Sequence, residues 1–302
     1  MEKGTKDRVK HRLPVRVWHG WSMRRVVAAV VLGLAAVAVC HRAWLDMWSI
    51  ALRDEQNTHI LLAPLVVIWL VIVRRERIRK CRPQGEWMGT LILFAGAVVS
   101  GFGLEHGHQL MWHGGAVLAL VGAVFTALGS MVFARFLPAV VAIAFVIPVP
   151  GQVLAAISIP LQAATAEATY VALDLLGVAA SRSGNMIEVD GVAVYIAEGS
   201  DGLRMIFALV LVAYAFAFGT PLRPGVRGLI VALSPLAADV FNLLRLIPTV
   251  LLYAHADRGI AGAFDRVGGW LMVVIAFLVL LSVLRMLRWA KVPLTRYALA
   301  YD

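Results

Sequence analysis

Between residues 26 and 287 the chain is a succession of apolar runs long enough to cross a lipid bilayer. About 20 apolar residues in a helix reach across a hydrocarbon core of about 30 Å, and there each backbone polar group must be satisfied within its own segment. The sequence is therefore read as an all-α polytopic membrane protein. Composition agrees: 61% of the 302 residues are hydrophobic and only 15% are charged. A formal net charge of +10 could suit a nucleic-acid binder. The basic residues, however, fall in tails and short loops between apolar runs, and no basic face interleaved with aromatics is present. That pattern is a topology signal, so membrane lipid is an expected partner and nucleic acid is not.

Eight spans are expected. They run at about Val26–Trp44, Thr58–Val73, Trp87–Leu104, Leu110–Leu128, Val132–Ile147, Leu203–Gly219, Gly228–Leu252 and Gly268–Leu287. Residues 1–25 form a basic cytoplasmic tail, 26–287 the membrane domain and 288–302 a second cytoplasmic tail. The cluster Arg74, Arg75, Arg77, Arg79, Lys80 and Arg82 marks an inner loop. Because basic residues gather on the cytoplasmic side of membrane proteins, both termini are placed inside. The start of the chain resembles a signal peptide loosely, yet its basic tail is long and Ala38-Val39-Cys40 lacks the small residue expected before a lipidated cysteine. A retained first span is expected. Cys40 and Cys81 fall on opposite faces and are not expected to pair.

Two outer features interrupt the spans. Pro148-Val149-Pro150-Gly151 ends one helix, because proline removes a backbone donor and clashes with the preceding turn. Residues at about 152–177 follow as an interfacial helix whose apolar face is broken by Pro160, Gln162, Glu167 and Asp174. Then β-branched residues flank Asp190-Gly191, a strong local signal for a short β-hairpin at about 186–197.

The candidate chemistry lies where Ala197-Glu198-Gly199-Ser200-Asp201-Gly202-Leu203-Arg204 opens an apolar helix. A helix N-terminus carries a partial positive charge that favours an ionised nucleophile or an anionic intermediate. Ser200 is the candidate nucleophile, with Arg204 one turn on. Asn242 and Arg245, three residues apart, share one face of the next span and could approach it. The plainer reading makes Ser200 and Asp201 helix caps, and makes Asn242 and Arg245 an interhelical hydrogen bond or a snorkelling charge. His59, beside Asp54 and Glu55, is at the outer start of the second span. The loose group His106, His108 and His113 lacks the spacing of a metal site, and no cofactor is expected.

Taken in order, these stretches resemble the exosortase/archaeosortase family of membrane cysteine peptidase/transpeptidase-like proteins. Asn57-Thr58-His59 through Pro64 is similar to the family's Tyr-Ser-His-Gly…Pro stretch. Phe145 to Gly151 resembles its Met-Ile-Pro-Leu-Pro-Gly, and Gly184-Asn185-Met186-Ile187-Glu188 its Gly-Asn-Val-Ile-Glu. Ala197 to Arg204 aligns with Ala-Glu-Ala-Cys-Ser-Gly-Leu-Arg, Asn242 to Arg245 with Asn-x-x-Arg, and Phe264 to Trp270 with the block bearing a His before Gly-Trp. The resemblance implies an inner-membrane peptidase or transpeptidase with its active face outside. It would cleave the C-terminal sorting signals of exported proteins (a short motif, a hydrophobic span and a basic tail) through an acyl-enzyme.

Two departures shape that expectation. The family's catalytic Cys falls on Ser200 and its His on Asp265, whereas its Arg is retained as Arg245. A hydroxyl needs a base where a thiol often does not. Glu198, Asp201, Asp265 and His255 are the candidates for that base. The expected site is thus Ser200, Arg245 and Asp265, supported by Arg204, Asn242, Glu198, Asp201 and His59. The alternative is a catalytically inactive relative that binds sorting signals or supports an export or exopolysaccharide assembly.

Overall fold

The structure, a computed structural model, describes residues 21–78, 81–196 and 202–289. Ten helices are assigned in this part of the chain: α1 Met23–Val39, α2 His41–Arg53, α3 His59–Val73, the short α4 Arg75–Ile78, α5 Trp87–Glu105, α6 Gln109–Ile143, α7 Gly151–Leu175, α8 Leu203–Gly219, α9 Pro224–His255 and α10 Arg258–Trp289. A small sheet of β1 Ala180–Ser183, β2 Met186–Val189 and β3 Val192–Tyr195 lies between α7 and α8. Five helices are long and apolar enough to cross a bilayer, or six if the bent pair α1–α2 counts as one. The eight expected spans differ from this in three places.

The first is Cys40, where the expected span Val26–Trp44 breaks. The helix turns there by 77° and continues as α2, which buries Ala43, Met47 and Ala51 at a four-residue spacing. The second is α8, whose 17 residues reach about 25 Å at 1.5 Å per residue, short of a full apolar crossing. The third is a difference of count alone: α6 is a single long element, but its Gly129 has φ 77° and ψ 175°, outside helical space, and the break falls between the expected spans Leu110–Leu128 and Val132–Ile147.

The contacts of α6 show what Gly129 does. A Cβ on Gly89, Gly96 or Gly103 of α5 would collide with the backbone of Thr126, Ala119 or Trp112 respectively. Gly115 and Gly122 of α6 return the same close approach against Ser100 and Leu93. Small residues at sevenfold spacing thus form a seam where two antiparallel helices touch backbone to backbone, a mode of packing suited to lipid, where no hydrophobic force drives helices together. Beyond Gly129 the partner changes. Arg74 Nη1 donates to the Arg135 carbonyl at 3.2 Å, and Ala139 and Ala142 pack on Leu70 of α3. Further on, Val149 N lies 3.4 Å from Asn57 Oδ1. The second half of α6 therefore runs antiparallel to α3, and the chain reverses at Gly129.

The sheet answers the hairpin expectation with one strand more. Asp190 and Gly191 have φ 50° and 76°, as a two-residue hairpin turn requires, and β2 pairs antiparallel with β3. β1 adds through a second turn at Gly184-Asn185. Its sequence, Ala-Ser-Arg-Ser, has no β-branched residue to announce a strand. One sheet face, with Ile187, Val189 and Ile196, is buried against Ala166 and Leu173 of α7 and Leu246 and Val250 of α9. Polar residues that interrupt the apolar face of α7 anchor the sheet: Asn185 Nδ2 donates to Gln162 Oε1 at 2.9 Å, and Arg182 pairs with Glu167.

Both cysteines are free and buried. Cys40 packs on Ala116 and Ala119, and Cys81 on Val132 and Phe136. The seam makes a testable distinction between two glycines of α5. Gly96→Ala is expected to destabilise the protein by about 1–3 kcal/mol through overpacking. Gly101→Ala, with nothing within 4 Å of the added carbon, leaves the thermal unfolding midpoint in detergent at or above the wild-type value.

Candidate active site

Arg245 is the organising group. It sits on the buried stripe of α9 together with Ser234, Ala238, Asn242 and Thr249, and it is only 1% exposed. A buried guanidinium costs several kcal/mol unless its charge and its donors are answered. Nη2 donates to Asn242 Oδ1 at 2.9 Å, one turn back. Nη1 donates to Asp265 Oδ1 at 3.0 Å and to the Asp265 carbonyl at 3.2 Å. Arg245 is thus paired, and its pairing fastens α9 to α10.

Asp265 was expected in an outer loop. It lies inside α10 instead, because that helix starts ten residues before the expected span, at Arg258. Asp257 precedes it, and its Oδ1 accepts from Gly259 N at 2.7 Å. The glycines at 259, 262, 268 and 269 depress helix propensity and hide this extension in the sequence. Two of them serve the site. A Cβ on Gly269 would collide with Arg204 Nη2 and stand 3.5 Å from Arg245 Nη1, and one on Gly268 would stand 3.5 Å from Arg245 Cδ. The notch in α10 therefore receives two guanidinium groups, one from α8 and one from α9.

Arg204 is held from a distant part of the chain. Nη1 donates to Glu55 Oε2 at 2.7 Å, and Glu55 belongs to the 3₁₀ turn Glu55–Asn57 that opens α3. Within the same turn Asn57 Nδ2 donates to Asp54 Oδ2 at 2.7 Å. His59, at the head of α3, is buried. Its ring lies 4.9 Å from that of Phe207, and its Nδ1 faces the Gln56 carbonyl at 3.2 Å. It braces α3 against α8 rather than joining the polar cluster.

The helix opening differs from the expected capping. The N-cap position of α8 falls on Gly202, in the left-handed region with φ 88°, and a Cβ there would meet Asn242 Nδ2 at 2.8 Å. Only glycine tolerates both the backbone angle and the neighbour. Ser200, Glu198 and Asp201 lie outside the described residues. On one side of them Ile196 is buried against α9, and on the other Gly202 abuts Asn242. His255, one candidate base, is directed elsewhere: its Nε2 lies 3.0 Å from Asp190 Oδ2 at the exposed hairpin turn.

Beside Asp265 is a cavity of about 180 Å³, bounded by Ala193 to Tyr195 of β3 and the following Ile196, by Leu246, Thr249 and Tyr253 of α9, and by Asp265. Arg245 occupies Asp265 Oδ1, while Oδ2 makes no hydrogen bond among the described residues. The loose group of histidines at 106, 108 and 113 does not gather. His106 stacks on Phe102, His113 is buried 2.9 Å from Asp46, and among the described residues no three metal-binding side chains come together.

Sequence reading placed Arg204, Asn242, Arg245 and Asp265 in the candidate site, and the fold brings all four together. It missed Glu55 as the partner of Arg204, and the two glycines as the notch. An acidic residue at the mouth of an apolar span was the available signal for Glu55, since such a charge rarely lacks a partner.

Fold and site together define a polytopic helical membrane protein whose charged residues, drawn from four separate stretches, meet at one end of the bundle. It belongs to the transmembrane exosortase family, whose family model matches residues 44–282. No curated protein and no solved structure matches the chain. Two substitutions separate the contributions of the arginines. Arg245→Ala takes the guanidinium from the buried Asn242 amide and the half-buried Asp265 carboxylate and is expected to cost about 3 kcal/mol. Arg204→Ala, facing a Glu55 side chain that is 63% exposed, is expected to cost no more than about 1 kcal/mol. Thermal unfolding of the purified protein in detergent reads both.

Proposed function

We propose that this protein is an exosortase-like peptidase or transpeptidase of the cytoplasmic membrane, acting at the outer face on exported proteins that carry a C-terminal sorting signal. The observation that carries the reading is the convergence of Arg204 and Arg245 on the Gly269 notch, with Asp265 beside a cavity of about 180 Å³. In this reading the cavity along β3 takes the extended segment before the substrate's anchor. The Ser200 hydroxyl adds to the scissile carbonyl carbon, and a guanidinium stabilises the oxyanion. The C–N bond then breaks, the amine leaves with the hydroxyl's proton, and an acyl ester remains on Ser200. Water or an acceptor amine resolves that ester. Asp265, through Oδ2, takes the acid/base position, and Arg245 holds it in place. The basic clusters at 1–25 and 74–82 support a cytoplasmic placement of the opposite end of the bundle and of both termini.

One observation favours the second reading, in which the site binds sorting signals without cutting them. The position that carries a histidine in the family holds a carboxylate already engaged by Arg245. A serine nucleophile then depends on a base that is half of an ion pair.

Co-expression with a tagged substrate bearing a C-terminal signal separates the two. Wild type is expected to shorten the substrate, and Ser200→Ala, at equal protein level, to leave it full length. Unchanged processing in Ser200→Ala removes Ser200 as nucleophile. Intact substrate that co-purifies equally with wild type and variant establishes the binding role instead.

A further inference from the structure

At the other end of the bundle from the candidate active site, α3 runs into α4 and α8 gives way to α9. Val73, Arg74, Arg77, Phe218, Thr220 and Arg227 line a cavity there of about 190 Å³. A run of arginines after a span usually marks a solvated loop, and that account suffices for Arg75 and Arg77, which are exposed. It does not suffice for Arg74, which is 7% exposed. Its Nη2 donates to the Phe218 carbonyl at 2.7 Å and its Nη1 to the Arg135 carbonyl, but these neutral acceptors leave its charge unanswered. Among the described residues it has no carboxylate partner, and its Nε is buried without an acceptor.

The neighbours add positive charge. Burial first, then repulsion from Arg77 and Arg227, pushes the Arg74 guanidinium down to about 10, still charged at neutral pH. Arg227 lies over the Phe218 ring at 5.6 Å and donates from Nη2 to the Thr220 carbonyl. It belongs to the first turn of α9, a 32-residue helix with no acidic residue in that turn, so the positive end of the helix dipole lies there too. One carboxylate, Glu76, also borders the cavity. Three guanidinium groups and a helix N-terminus against one carboxylate make a cavity suited to an anion with several acceptor oxygens.

An adjoining apolar groove narrows the class of anion. Between α3 and α8 lies a cavity of about 320 Å³, lined almost wholly by apolar atoms of Leu62, Leu65, Trp69, Val212, Phe216 and Phe277. Trp69 ends this groove by packing on Gly219, which itself lines the arginine cavity. Along α3, Leu62, Leu65, Trp69 and Val73 follow one helical face, so groove and cavity lie end to end on the same side of the bundle.

We infer that Arg74, Arg77 and Arg227 hold the phosphate of an anionic phospholipid, with an acyl chain lying in the apolar groove between α3 and α8. Basic pockets between membrane helices recognise headgroups in this way, each arginine adding to the attraction.

The test uses the full-length protein, delipidated in detergent, with phosphatidylglycerol or phosphatidylcholine in mixed micelles, or with inorganic phosphate alone. Thermal unfolding and native mass spectrometry read the result. Phosphatidylglycerol is expected to raise the unfolding midpoint and to remain bound, while phosphatidylcholine does neither. Arg77→Gln and Arg227→Gln, which leave Arg74 in place, are each expected to weaken retention about fivefold. Equal retention of both lipids, or equal retention by wild type and the double variant, overturns the anion site. Protection by inorganic phosphate as strong as that by phosphatidylglycerol overturns the lipid assignment and leaves the arginine cavity to a soluble phosphate compound.

Discussion

A guanidinium withdrawn from water inside a membrane helix must bring its counter-charge and acceptors with it. Arg245 does so with one carboxylate, one amide oxygen and one carbonyl, taken from its own helix and from α10. Much of the surrounding architecture follows from that requirement. α10 must come close enough to donate Asp265, so it presents glycines at 268 and 269. α8 must start against Asn242, so its N-cap residue is a glycine in the left-handed region. The glycines are the spatial counterpart of a charge that could not otherwise be accommodated.

What could be read from the sequence divides along the same lines. Polar and charged residues in apolar runs are conspicuous, and Arg204, Asn242 and Arg245 were singled out because their chemistry is out of place in lipid, whereas Asp265 was singled out only through the family resemblance. The fold brings them together. The hairpin was equally visible, because Asp190-Gly191 between β-branched residues specifies a turn locally. Elements defined by small residues were hidden. The sevenfold glycines at 89, 96 and 103, and at 115, 122 and 129, looked like low helix propensity, whereas they are the contact surface of α5 and α6 and the point where the chain reverses. The start of α10 was obscured in the same way. The bend at Cys40 has no proline or glycine to mark it, and β1 has no β-branched residue.

The two ends of the bundle use charge in opposite ways. At one end, positive groups are answered within the chain: Arg204 by Glu55, and Arg245 by Asp265. At the other, Arg74 is answered only by carbonyls and faces two more arginines. In the first arrangement each of the two cations has a carboxylate from another part of the chain. The second has unspent positive potential, and that is the mark of a place completed by something from outside.

The partners of Arg245 also bear on how the molecule is made. Asp265 follows Arg245 by 20 residues and belongs to α10, while Glu55, which holds Arg204, precedes its partner by 149. During synthesis α9 therefore leaves the ribosome carrying a cation whose anion has yet to be translated. Until α10 arrives beside α9, Arg245 lacks the carboxylate that answers its charge, and a chain shortened before residue 265 would lack that carboxylate altogether. Pairing of the buried cation therefore awaits the docking of α10 against α9.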